Sequence, residues 1–234
     1  MLKKWLNESN YTVVYTGAGM STESGLPDFR SAGNGLWNKK DPSKIASTDA
    51  LNHNVTEFID FYRDRVLGVK DYKPHIGHDI LAKWEREGLI QSIITQNVDG
   101  FHQRAGSNQV AELHGTLQNL HCQSCGKVYS SEEYINRDYY CSCGGILRPS
   151  IILFGESLPE DAFQFAHKES VKADLFIVLG SSLSVTPANH FPLIAKENGA
   201  KLVIINMEET DFDIYADEVI NDKEIGKILE ELDT

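Results

Sequence analysis

Short apolar runs recur along the chain at residues 11–16, 89–95, 175–180 and 201–206. Val, Ile and Leu dominate them without clean alternation, the pattern of strands covered on both faces, as in a parallel sheet. Between these runs apolar residues fall at helical spacing. Residues 55–66 place Phe58, Ile59, Tyr62 and Val66 on one face, and residues 75–88 do the same with Ile76, Ile80, Leu81 and Trp84 before a glycine suited to a C-cap. Residues 160–173, 187–198 and 223–232 complete the expected helices. Strand and helix alternate, which predicts an α/β fold with a parallel sheet and helices on both faces. Two segments break the rhythm. Residues 31–74 carry little strand signal, and residues 120–147 carry the cysteines and a Gly pair. Both read as insertions that together form a smaller lobe.

Composition narrows the function classes. The chain has 234 residues, 41% of them hydrophobic and 24% charged, ordinary for a globular protein with one substantial core or a core and a small module. Its 34 acidic against 22 basic residues give a net charge of −12. That balance disfavours nucleic acid and anionic membranes and suits a basic partner such as a lysine-bearing peptide. The first residues, Met-Leu-Lys-Lys-Trp-Leu-Asn-Glu, lack the apolar core of a secretory signal. No stretch approaches the roughly 18–20 apolar residues of a membrane helix. A cytoplasmic protein is expected, acting as a monomer. All four cysteines lie between 122 and 143, a clustering that suggests metal rather than disulfides.

Several motifs follow the strands. Thr16-Gly17-Ala18-Gly19-Met20-Ser21-Thr22-Glu23-Ser24-Gly25 succeeds the first apolar run, and its glycines would let backbone N–H groups approach a phosphate. The spacing is not the Gly-x-Gly-x-x-Gly of dehydrogenases, and no strand ending in an acidic residue follows about 20 residues later. Pro27-Asp28-Phe29-Arg30 could cover and clamp a dinucleotide, or stitch a loop with an Asp–Arg pair. Thr95-Gln96-Asn97-Val98-Asp99 ends a strand, where α/β sheets bind ligands, and offers groups for a ribose, a carboxamide and a water. A structural hydrogen-bond network is the alternative there. His114, in Glu112-Leu113-His114-Gly115, is a natural base near neutral pH, although a lone His is more often structural. Gly180-Ser181-Ser182-Leu183-Ser184 and Ile205-Asn206-Met207-Glu208 also end strands and suit a phosphate or ribose. Cys122-x-x-Cys125 and Cys141-x-Cys143, separated by residues 126–140, predict a tetrahedral Cys₄ zinc site. Four thiolates leave no open position, so the site reads as structural.

Taken in order, these motifs, with Phe154-Gly155-Glu156, resemble the sirtuin (Sir2-type) family of NAD-dependent protein deacylases, in its bacterial form, over roughly residues 11 to 220. The resemblance implies one catalytic unit. Its Rossmann-like lobe would comprise residues 1–30, 75–119 and 148–234, and its small helical and zinc-binding lobe residues 31–74 and 120–147. NAD as co-substrate and an acyl-lysine peptide would meet between them. Gly17, Ala18, Gly19, Thr22, Asp28, Phe29 and Arg30 would line and cover the dinucleotide. Gln96, Asn97, Val98 and Asp99 would hold the nicotinamide ribose and carboxamide, with Asn97 and Asp99 joining His114 as catalytic residues. Gly180, Ser181, Ser182, Asn206, Glu208 and Ile220 would serve the adenosine half. Ile152, Phe154 and Val185 would form the tunnel for the lysine stem, with backbone near Gly155 pairing with the peptide.

The implied reaction is acyl transfer. The acyl oxygen attacks C1′ of the nicotinamide ribose, nicotinamide leaves, and His114 takes a proton from a ribose hydroxyl that then attacks the acyl carbon. Water completes the release of lysine and O-acyl-ADP-ribose. Tyr62-x-x-Arg65, following Gly35-Leu36-Trp37, resembles relatives that prefer succinyl or malonyl groups, because a phenol and a guanidinium together suit a carboxylate. Those relatives carry Ala where this chain has the larger Thr22. An ADP-ribosyltransferase on the same scaffold and a non-catalytic NAD or zinc module are the competing readings; the presence of His114 favours acyl transfer.

Overall fold

The computed structural model describes residues 1–28 and 41–234. The strands are β1 (Thr12–Thr16), β2 (Ser92–Thr95), β3 (Val110–Glu112), β4 (Gly115–Cys122), β5 (Val128–Ser130), β6 (Leu147–Ile151), β7 (Leu175–Leu179), β8 (Lys201–Ile205) and β9 (Glu218–Ile220). The helices are α1 (Leu2–Glu8), α2 (Pro42–Ile45), α3 (Thr48–His53), α4 (Val55–Asp71), α5 (Ile76–Glu87), α6 (Phe101–Ala105), α7 (Glu132–Ile135), α8 (Glu160–Lys172), α9 (Phe191–Glu197) and α10 (Ile225–Asp233).

Six strands form one parallel sheet in the order β3-β2-β1-β7-β8-β9. The four central ones are the apolar runs, buried on both sides as their composition requires. Successive residues serve opposite cores. Val14, Ile177 and Val203 face a layer with α1, α5 and α10; Tyr15, Val178 and Ile204 face a layer with α8 and α9. Helix α5 is stopped by Gly88, left-handed at φ 78°, whose N–H reaches the Glu85 and Trp84 carbonyls. The order in which the chain adds strands reverses between β1 and β7, as in dinucleotide-binding folds, and ligands bind where such a reversal opens a crevice at the strand ends.

The second unit is built differently. Antiparallel β5-β4-β6 packs against α4 and α7 around a third core that includes Phe58, Tyr62, Leu120 and Tyr134. Together with α2 and α3 it makes a small helical and cysteine-bearing lobe on a Rossmann-like sheet. Strand β4 starts directly after His114, so that residue lies between the last strand on this side of the parallel sheet and the antiparallel sheet.

Some boundaries differ from those expected. β2 starts at Ser92 because Leu89 and Ile90 donate to the Trp84 carbonyl and so complete the end of α5. A 3-10 turn, Ala188–His190, occupies the expected first turn of α9. No helix among the described residues is long and apolar enough to cross a membrane.

Candidate active site and metal centre

The loops after β1 and β7 are pressed together at the sheet's reversal, and this explains the glycines. A Cβ on Gly17 would lie 2.7 Å from the Gly180 carbonyl oxygen, and one on Gly180 would lie 2.4 Å from the Met20 nitrogen. Gly180 also takes φ 61°. The Gly19 N–H donates to the Gly180 carbonyl at 2.8 Å. The Gly-x-Gly spacing thus serves loop-on-loop contact, and a 3-10 turn over Ala18–Ser24 takes the place of the long helix of a dehydrogenase fingerprint.

Above these loops opens a cavity of about 550 Å³. Ala18, Gly19, Thr22 and Asp28 line it from the first loop, and Gln96, Asn97 and Val98 from the end of β2. Gly180, Ser181 and Ser182 line it after β7, and Asn206 and Glu208 after β8. His114, Ile152, Phe154, Gly155, Val185, Tyr62 and Arg65 complete the wall toward the small lobe. Three of the anticipated residues stand behind the surface. Gly17 supplies backbone, Asp99 is only 6% exposed, and Ile220 uses its carbonyl to accept the Asn206 N–H at 3.1 Å. Phe29, Arg30 and the Gly35-Leu36-Trp37 stretch lie outside the described residues.

A buried polar network fixes the cavity floor. Asn97 Nδ2 donates to the Gly17 carbonyl at 2.9 Å and to Ser21 Oγ at 3.2 Å. The Ser21 hydroxyl donates to Asp99 Oδ2 at 2.8 Å, and the Phe101 N–H to Asp99 Oδ1 at 2.9 Å. Burial pushes the Asp99 carboxyl up; those two donors, with Arg65 and Arg104, favour the anion. Ser181 Oγ donates to Gln96 Oε1 at 2.7 Å and orients that amide. Sequence reasoning passed over Ser21, because its value lies in contacts made 76 and 78 residues away.

His114 sits where the parallel sheet hands over to β4. Its Nδ1 donates to the Gln96 carbonyl at 3.0 Å, which makes Nε2 the basic nitrogen. Gly115 follows because φ is 72° and a Cβ there would meet the Ser150 carbonyl at 2.2 Å. Opposite, Arg148 and Glu156 form an ion pair at 2.9 Å, and Glu156 Oε2 accepts the Leu153 N–H at 2.8 Å. This pins the turn that carries Phe154. The Phe154 backbone is already engaged: its N–H donates to Ala46 and its carbonyl accepts from Thr48.

The four cysteine sulfurs converge, all within 4.8 Å of one another. Cys122 and Cys143 sulfurs are 3.5 Å apart, and those of Cys125 and Cys141 3.7 Å. A disulfide needs about 2.05 Å. A tetrahedral zinc with Zn–S of about 2.3 Å sets sulfurs about 3.8 Å apart, so these spacings fit the metal. Tyr129 Oη lies 3.0 Å from Cys141 Sγ and can donate to a thiolate. The cysteines are positioned to bind one zinc ion with no coordination site left for substrate.

Residues 17–187 match the family model described as Sir2 family. A protein from Oceanobacillus iheyensis named NAD-dependent protein deacetylase is 69% identical over 98% of this chain and 97% of its own length. One from Geobacillus kaustophilus named NAD-dependent protein deacetylase 1 is 56% identical over 99% and 96%. Among solved structures, a Sir2 histidine-to-alanine variant with a deacetylated p53 peptide and 3'-O-acetyl ADP ribose superposes with a TM-score of 0.93, at 41% identity over 99% of this chain and 95% of that one. A complex of Sir2 with a p53 peptide and NAD⁺ gives 0.89, at 40% identity over 99% and 95%. With motif order, sheet topology and cysteine geometry in agreement, the chain belongs to the Sir2 family.

Proposed function

We propose that this protein is an NAD-dependent protein-lysine deacylase that removes acetyl groups and releases nicotinamide and O-acyl-ADP-ribose. The observation that carries the reading is His114, held as the Nδ1–H tautomer at the meeting point of the strand-end loops and the apolar wall. The loops after β1, β2, β7 and β8 receive NAD, with Phe29 and Arg30 covering it. Ile152, Phe154 and Val185 enclose the lysine stem. NAD supplies an electrophilic ribose carbon and a leaving group. His114 Nε2 removes the proton from a ribose hydroxyl, Asn97 holds the ribose and a water, and Asp99 supports Asn97 from behind the surface through Ser21. Ile220 acts through its carbonyl on Asn206. The zinc is structural. The working division is a nucleotide lobe of residues 1–30, 75–119 and 148–234 and a small lobe of residues 31–74 and 120–147, with both inner joints inside β4 and β6. The enzyme works as a cytoplasmic monomer on acylated proteins, not on nucleic acid or membranes.

The test is His114→Ala. Removing a general base costs about 10²–10⁴-fold in turnover, and acyl-peptide-dependent nicotinamide release should fall by that range with the unfolding temperature retained. Undiminished release would reject the assignment. Transfer of label from NAD onto protein without deacylation would favour ADP-ribosyl transfer instead.

A second reading, removal of succinyl or malonyl groups, is favoured by Tyr62 and Arg65, which both line the cavity.

A further inference from the structure

The loop that follows β1 is gripped by the last helix of the chain through Glu23, a residue that also lines the cavity. Glu23, within the Ala18–Ser24 turn, accepts the Gly226 N–H at 2.9 Å on one carboxylate oxygen and 3.2 Å on the other. Gly226 is in the first turn of α10, where backbone N–H groups lack helical partners and the helix dipole favours an anion. His75 flanks the same carboxylate. Its Nδ1 accepts the Gly77 N–H at 3.2 Å, so Nε2 carries the proton and donates to the Met20 carbonyl at 2.7 Å. The loop is therefore held at two points, a carbonyl and a carboxylate.

The fit leaves no slack. A Cβ on Gly226 would lie 2.5 Å from Glu23 Oε2 and 3.3 Å from His75 Nδ1. Met20 shares a core with Ile225, Ile228 and Leu229. Just before α10, Lys223, Glu224 and Ile225 themselves line the cavity. One segment at the end of the chain thus closes the cavity and holds the loop that forms its floor.

We propose that Glu23 is a positioning residue for the dinucleotide: by tying the Ala18–Ser24 turn to the N-terminus of α10, it fixes the backbone that receives the diphosphate. The C-terminal helix is thereby part of the NAD site. This rests on the NAD reading above. The clamp acts on the cofactor side alone, so its loss weakens dinucleotide binding and leaves the acyl-peptide site as it was.

The experiment uses the zinc-loaded full chain and reads the Kd for ADP-ribose by calorimetry, with KM for NAD and for an acetyl-lysine peptide alongside. A hydrogen bond to a charged group is worth about tenfold in an equilibrium constant. Glu23→Ala should weaken ADP-ribose and raise the NAD KM by about that factor, with kcat at saturating NAD and the peptide KM little changed. Gly226→Ala should do the same although Gly226 does not itself line the cavity, because its methyl displaces the Glu23 carboxylate. Glu23→Gln, which keeps an acceptor oxygen, should recover part of the loss. The double variant should bind about as Glu23→Ala does, since the carboxylate that the methyl displaces is then absent and the remaining neighbours, Ile76 and His75, lie beyond 3 Å.

A weakened Glu23→Ala beside an unaffected Gly226→Ala would mean that Glu23 touches the dinucleotide directly, and would overturn the clamp. Unchanged binding in both would overturn it too, as would a parallel fall in every parameter and in thermal stability. Failure of the wild type to bind ADP-ribose would instead bring down the NAD reading, and the clamp with it.

Discussion

Arg65 enters the cavity from α4, one turn after Tyr62, and the pair sets the question of acyl choice. Burial pushes the Tyr62 phenol up to about 12, so it stays an O–H donor at neutral pH. Burial pulls the Arg65 guanidinium down, but an arginine remains charged in this range. A donor and a cation side by side suit a carboxylate-ended acyl group. Against this, Arg65 also lies 5.9 Å from the Phe61 ring, and Thr22, which lines the same cavity, is bulkier than the alanine of the acidic-acyl relatives it resembles. If the pair reads a carboxylate, Arg65→Met should lower kcat/KM on a succinyl-lysine peptide by about tenfold or more, and should spare the acetyl version of the same peptide by comparison. Desuccinylation unaffected by the change would remove Arg65 from substrate recognition. Residues of this kind differ in how readable they are. The cysteines announce themselves by type and spacing, and His114 by its place in the order of motifs. Ser21, Glu23 and Arg148 do not, because their roles depend on partners brought near only by the fold.

The elements divide in the same way. The central strands and α4, α5, α8 and α10 were legible because burial on one or both faces writes a period into the sequence. The three-residue edge strands β3 and β9 carry too few positions to show one. The β5-β4-β6 sheet is hidden for another reason: β4 is mixed in burial and β5 is largely exposed, so neither writes a clean apolar alternation into the sequence. Cys122 ends β4 and Cys141 follows α7, so loss of zinc removes the cross-link between two segments of this small lobe. Stripping zinc with a chelator, or replacing Cys141 by Ser, should lower the unfolding temperature and abolish activity together, with activity recovered by added Zn²⁺ only in the stripped wild type. Full activity in a verified zinc-free protein would show that the metal is dispensable to the fold.

Across the whole molecule, stability carries a pH signature from buried imidazoles behind the site. His78 has no exposed surface and packs against His75, Phe101 and His102 at ring separations of 4.6, 5.6 and 4.9 Å. His102 Nε2 meets Thr16 Oγ at 3.0 Å. Burial pulls His102 down to about 3 and also holds His78 well below the usual range, with His75 and His102 adding to the effect on His78. Both are neutral in the folded protein, whereas the unfolded chain takes up protons near pH 6.5. The unfolded state therefore binds more protons below that pH, and stability present above it is lost as pH falls. From pH 7 to 5.5 the pair should cost about 2.5 kcal/mol of unfolding free energy. His78→Phe should remove about half of that slope. Asp99 and Glu112, raised by burial, act in the opposite sense, and comparing wild type with variant cancels them. An unchanged slope in His78→Phe would show that His78 does not set the acid limit.

The loops at the ends of the parallel sheet and the residues of the small lobe frame one cavity whose proposed task is acyl transfer to ADP-ribose. The most direct test is mass spectrometry of the products formed from NAD and an acetyl-lysine peptide. The account predicts free lysine peptide, nicotinamide and O-acetyl-ADP-ribose in equal amounts. Free acetate and intact NAD, or ADP-ribose attached to protein with the acetyl-lysine untouched, would contradict it.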